Sequence, residues 1–173
     1  LQNAHGILGY LRSTPPNALW RDFAIFHTGR LCEMNILQKS RAKSPWILHY
    51  DAGACNGCDI EILACLTPVY DIERFGMVNV GNPKHADVLL VTGTCNKRSA
   101  RVLKNLYDQM PDPKVVVAVG ACALSGGIFH ECYNVLQGVD GTVPVDVYVP
   151  GCAPRPEAIM EGVMMALEKM NKR

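Results

Sequence analysis

The chain has 173 residues, enough for one domain with a buried core plus an extension, but too few for two equal domains. Hydrophobic residues make up 49% and charged residues 19%, which excludes a disordered protein and leaves apolar surface over for partner subunits. A net charge of +1, with no run of five basic residues, gives no electrostatic footprint for nucleic acid.

Residues 1–44 follow no regular alternation and are expected to form an N-terminal arm. Within it, Asn17–Phe26 follows Pro15-Pro16, carries Leu19, Trp20, Phe23, Ile25 and Phe26, and reads as a short amphipathic helix capped by Asn17. Its apolar residues suit either an arm folded onto its own domain or one docking on a membrane subunit or its interface. No secretory-signal pattern opens the chain and no apolar run approaches the 18 residues or so that a spanning helix needs, so the compartment is read as cytoplasmic and membrane attachment as peripheral.

From Trp46 onward, short β-branched runs alternate with amphipathic stretches. Strands are predicted at Trp46–Tyr50, Met77–Val80, Val88–Val91, Val115–Val119 and Val145–Val149, and their near-continuous apolar character is that of strands buried on both faces. Arg98–Met110 is predicted as a helix with Val102, Leu103, Leu106, Tyr107 and Met110 on its core face. The last helix begins at Pro156, with Glu157 and Glu161 early and Lys169, Lys172 and Arg173 late, complementing its dipole. Its apolar stripe is Ala158, Ile159, Val163, Ala166, Leu167 and Met170. Residues 45–173 are therefore expected to form an α/β domain, a flavodoxin-like doubly wound parallel sheet.

Eight cysteines are many for a cytoplasmic chain, where disulfides are rare, so metal binding becomes the leading explanation. Overlaid on the predicted strands, four of them fall just past strand ends, where ligands of open parallel sheets bind. Cys55 and Cys58 form a CxxC in DAGACNGCDIE, Cys122 lies in GACALSGG, and Cys152 lies in PGCAPRPE. Glycines in these loops permit close backbone approach, prolines stiffen them, and following helix starts favour thiolates. Four thiols are the ligand set of a [4Fe-4S] cluster. Structural zinc also takes four cysteines, but usually as two close pairs, and a thioredoxin-type dithiol would leave Cys122 and Cys152 unexplained. Cys95, in VLLVTGTC, follows another strand on the same edge, and spacing alone leaves it a competing ligand.

Cys32, Cys65 and Cys132 are read as buried small hydrophobes. Asp51, Asp59 and Glu61 flank the CxxC, either as proton carriers beside a buried negative charge or as solvated and capping charges. The five histidines show no ligand spacing and receive no role. Neither GxGxxG nor GxxxxGK[ST] occurs, so a nucleotide site has no support.

The segments CNGCDIEILACLTPVYDIERFG, GACALSGGIF and VPVDVYVPGCAPRPEAI resemble the small subunit of energy-converting, membrane-bound [NiFe] hydrogenases, over roughly residues 45–170. The same segments are similar to the terminal-cluster subunit of respiratory complex I. The resemblance implies a proximal [4Fe-4S] cluster held by Cys55, Cys58, Cys122 and Cys152 and seated against a large catalytic subunit that holds the nickel–iron site. It further implies a ferredoxin-like iron–sulfur partner feeding electrons in, membrane subunits moving ions, and a peripheral place on the cytoplasmic face of the membrane. Complex I relatives usually have adjacent cysteines where this chain has CxxC, which favours the hydrogenase side. Related complexes reduce sulfur compounds or quinone instead of protons. Cys95 departs from the family pattern.

Overall fold

A computed structural model describes Ser40 and residues 44–171. The helix expected at Asn17–Phe26, Cys32, and the terminal Lys172 and Arg173 lie outside the described residues.

Five strands form one sheet: β1 (Trp46–Asp51), β2 (Val78–Asn79), β3 (Val88–Thr92), β4 (Val115–Val119) and β5 (Val147–Val149). All pairs are parallel, in the order β2-β1-β3-β4-β5. The helices are α1 (Gly57–Cys65), α2 (Ser99–Gln109), α3 (Ala121–Ser125) and α4 (Pro156–Asn171). The chain runs outward from β1 to β2 and then returns past β1 to β3, so the order reverses between β1 and β3, as in flavodoxin-like folds. The predicted strands are all present. β2 and β5 are shorter than expected, because Met77 and Val80 flank a pairing of only two residues and Asp146 turns its carboxylate onto the Val116 N–H, at 2.9 Å.

The two central strands explain their own sequences. Every residue of VLLVT and VVVAV is buried, and β-branched side chains suit a pleat covered on both sides. On one face, Leu48, Leu89, Val91, Val116 and Ala118 pack with Leu103 of α2, Ala123 of α3, and Val139 and Val143. On the other, Ile47 and Leu90 share a small apolar cavity with Ile62 of α1 and Ile159 and Val163 of α4. Among the described residues, no helix is long and apolar enough to cross a membrane.

α4 follows the predicted charge pattern, with Glu157 in its first turn and Lys169 in its last. Its stripe is deeper than predicted, since Met160 and Gly162 are buried as well. α2 departs from expectation at Val102, which is 48% exposed. Leu103, Leu106, Tyr107 and Met110 repeat at three- and four-residue intervals, whereas Val102 sits about 100° away from Leu103 on the helix and turns to solvent.

Gly162 lets α4 close on the sheet: a Cβ there would stand 2.3 Å from Val149 Cγ2. Helix propensity alone makes Gly→Ala favourable by about 1 kcal/mol. Here Gly162→Ala is expected instead to destabilise the domain by about 1–3 kcal/mol through overpacking, read as a lower thermal midpoint. A midpoint that rises would show that α4 does not pack this tightly.

Candidate metal centre at the carboxyl edge of the sheet

Strand order poses a geometric problem for the four cysteines. β3 lies between β1 and β4, so at about 4.8 Å per strand the loop after β1 must cross roughly 10 Å to reach the loop after β4, and about 14 Å to reach the one after β5. It crosses directly over the end of β3. Gly93, with φ +78°, lies beneath it, and a Cβ there would stand 2.4 Å from the Ala54 nitrogen. Only glycine accepts both that backbone angle and that approach.

The crossing loop is fixed at several points. Asp51 Oδ1 accepts hydrogen bonds from the Gly53 N–H at 2.7 Å and the Ala54 N–H at 2.6 Å. Thr94 Oγ1 donates to the Gly53 carbonyl at 3.0 Å, and Ser99 Oγ donates to the Ala52 carbonyl at 2.8 Å. The segment after β3 therefore clamps the loop that carries Cys55. Asn56, at φ 65°, then turns the chain into α1, whose second residue is Cys58.

At the far side of the crossing, Gly120 follows β4 and forms a cradle for Cys58: a Cβ on Gly120 would meet the Cys58 sulfur at 2.5 Å. Gly127 does the same for Cys122, with 3.1 Å between its built Cβ and that sulfur. The Ala121 N–H donates to the Gly151 carbonyl at 2.8 Å, joining the β4 and β5 loops, and Gly57 faces both the Cys55 sulfur and Ala153, the neighbour of Cys152. The three loops therefore lie side by side, with the Cys55, Cys122 and Cys152 thiols near enough to act on Cys58.

The electrostatics carry the same signature. Burial pushes the Cys58 thiol up to about 11, and Cys122, Asp59, Cys55 and Cys152 add to the rise. Cys122 is raised by burial and then by Cys152 and Cys55. Cys58 and Cys122 therefore resist ionising without a cation to compensate them. Among the described residues, no three His, Cys, Asp or Glu side chains are close enough to hold a single metal ion. Four cysteines on neighbouring loops, with Gly120 and Gly127 making room for two of the sulfurs, are a donor set whose chemistry suits an iron–sulfur cluster.

Cys95 goes elsewhere. It is fully buried in the core on the α2 side, with its sulfur 3.5 Å from Thr142 Oγ1. Cys65 is buried as expected, its thiol pushed up to about 12 chiefly by burial. Cys132 corrects the reading, being exposed on the loop after α3. Asp59 is neither a cap nor a solvated charge: its Oδ1 accepts from Thr92 Oγ1 at 2.6 Å and lies 2.9 Å from His49 Nε2. This brace ties α1 to β1 and β3, and gives His49 a structural role that its sequence position did not suggest. Gly93, Thr94 and Ser99 were likewise missed, although the TGT following a buried strand was the available signal.

The architecture defines the protein's class: a flavodoxin-like α/β domain with a thiol-lined carboxyl edge. The same fold occurs in the crystal structure of an NAD+-reducing [NiFe]-hydrogenase, at 20% identity and TM-score 0.56, covering 73% of this chain and 92% of that one. Residues 55–166 match the family described as NADH ubiquinone oxidoreductase, 20 Kd subunit, and the chain belongs to that family of oxidoreductase subunits. It is 54% identical to the probable membrane-bound hydrogenase subunit mbhJ of Pyrococcus furiosus, over 79% of this chain and 81% of that one. It is 50% identical to an NADH-quinone oxidoreductase subunit of Flavobacterium psychrophilum, over 78% and 72% respectively. A solved chain of the archaeal membrane-bound sulfane sulfur reductase is 38% identical, with TM-score 0.69 over 79% of this chain and 76% of that chain.

The cradle makes a direct test. Gly120→Ala is expected to abolish iron retention, because the added carbon would occupy the space of the Cys58 sulfur. Gly81→Ala, with nothing within 4 Å of its built Cβ, serves as the neutral control. Iron per chain after anaerobic purification reads the difference, and equal iron in both variants would show that Gly120 does not shape the site.

Proposed function

We propose that this chain holds one [4Fe-4S] cluster on Cys55, Cys58, Cys122 and Cys152 and is the proximal electron-transfer subunit of a membrane-bound, ion-translocating oxidoreductase complex. The observation that carries the reading is the convergence of three cysteine-bearing loops at one sheet edge, with Gly120 and Gly127 making room for the Cys58 and Cys122 sulfurs. When bound, such a cluster takes one electron from a reduced donor and gives it to the next acceptor. The chain's own residues supply the remainder. Asp51, Thr94 and Ser99 hold the crossing loop, Gly120 and Gly127 admit the sulfurs, and the partly buried setting of Cys58 and Cys122 limits access of water.

In this reading the electrons come from a ferredoxin-fed cluster chain through a ferredoxin-like iron–sulfur subunit. They pass to the [NiFe] site of a large catalytic subunit for hydrogen evolution. Resemblance to the Pyrococcus hydrogenase subunit and the CxxC spacing support this acceptor. Residues 1–44 would contact the membrane subunits, and the chain would lie peripherally on the cytoplasmic face. A second reading, the same relay in a complex that reduces sulfur compounds or quinone, draws on the sulfane sulfur reductase and NADH-quinone oxidoreductase relatives.

Replacing Cys152 with Ala is expected to remove this cluster's low-temperature EPR signal and the activity of the complex, while Cys95→Ala retains both. Loss of signal with Cys95→Ala and its persistence with Cys152→Ala would reverse the choice of fourth ligand.

A further inference from the structure

α2 carries its charges the wrong way round. Lys97 and Arg98 precede it, Arg101 and Lys104 occupy its first two turns, and the acid that follows them, Asp108, sits near its end. Cations at a helix amino terminus and an anion at the carboxyl terminus both oppose the macrodipole. The contrast with α4, which follows the dipole at both ends, makes this a local feature and not the habit of the domain. All four cations are exposed, and among the described residues none forms an ion pair with a carboxylate. The whole chain has a net charge of only +1, so this positive face stands against a remainder richer in acid than in base.

Two further observations place the patch. Val102, 48% exposed, sits among these charges on the outward side of α2. The Lys97 N–H donates to the Asn134 carbonyl at 3.0 Å, so the loop after α3 runs alongside, bringing Tyr133, 93% exposed, and one carboxylate, Glu131. Exposed apolar groups with a charged surround have the anatomy of a protein interface. The face also adjoins the metal centre, since Ser99 at the start of α2 donates to the Ala52 carbonyl of the crossing loop.

We propose that the outward face of α2, together with Lys97, is the docking site for an acidic surface of the iron–sulfur subunit that delivers electrons, an assignment of partner that rests on the electron-transfer reading above. Charge complementarity selects an acidic partner, and the two arginines suit bidentate capture of carboxylates. A lipid surface fits less well, because an interfacial helix must lay an apolar face into the bilayer and the apolar face of α2 is already spent on the core through Leu103. The exposed apolar residues of α1, Ile60 and Leu63, are separate from this face and have no comparable charge.

The test uses the assembled complex carrying Arg98→Glu/Arg101→Glu, with Arg98→Gln/Arg101→Gln as the milder variant should the reversal accumulate poorly. Both variants should keep iron content, the EPR signal of this chain's cluster and the large subunit at wild-type levels. Electron delivery from the reduced iron–sulfur partner should fall roughly tenfold or more with the reversal at low salt and less with the glutamines, and the salt dependence of the wild type should flatten. Retention of that partner during a salt wash should fall in the same order. Unchanged delivery and retention would overturn the proposal, as would loss of the large subunit instead. Loss of binding to phosphatidylserine-containing vesicles with the donor still attached would assign the face to lipid and overturn it equally. A wild-type complex whose copy of this chain lacks iron would defeat the electron-transfer reading, while retention of the partner would still decide the docking face.

Discussion

Everything at the carboxyl edge of this sheet depends on one crossing. The sheet order separates the CxxC loop from the other two cysteine loops by at least the width of β3, and that loop approaches them by passing over Gly93. A side chain at that position would push the loop away from the sheet and Cys55 and Cys58 with it. The hydrogen bonds from Thr94 and Ser99 then act on a loop already lying in place, and Gly120 receives the Cys58 sulfur where the crossing ends. The placing of the cysteine loops is thus a consequence of backbone clearance at two glycines.

That arrangement stores an electrostatic demand. Burial, with neighbouring thiols adding to it, pushes the Cys58 and Cys122 thiols up, whereas metal ligation requires thiolates. Ligation of a metal by these thiols would release protons and compensate the charge, tying occupancy of the site to the stability of three loops. The Asp59, His49 and Thr92 brace begins at the residue after Cys58 and fixes α1 against two strands, which holds the second cysteine of the CxxC in place.

Much of this was legible in the sequence, for identifiable reasons. Val88–Val91 and Val115–Val119 announce themselves because strands buried on both faces have no reason to alternate, and overlaying cysteines on strand ends narrowed the candidates to Cys55, Cys58, Cys95, Cys122 and Cys152. Cys95 could not be dismissed that way. Its position after β3 is on the correct edge, and only the side-chain direction, into the core beside Thr142, removes it. The clamp by Thr94 and Ser99 was hidden because it joins residues more than forty positions apart through backbone carbonyls, which have no sequence identity. Val102 was misplaced for a simpler reason: a run of apolar residues on a helix is wider than the face that the core can accept.

The central claim is that these four cysteines hold one cubane cluster and not a single ion. Native mass spectrometry of the subunit, released anaerobically from its complex, measures this without relying on activity or on clusters in neighbouring subunits. The account predicts an added mass of about four irons and four sulfides, lost when any of Cys55, Cys58, Cys122 or Cys152 is replaced by alanine. An added mass of one zinc, or a cluster that survives replacement of all four, would contradict it.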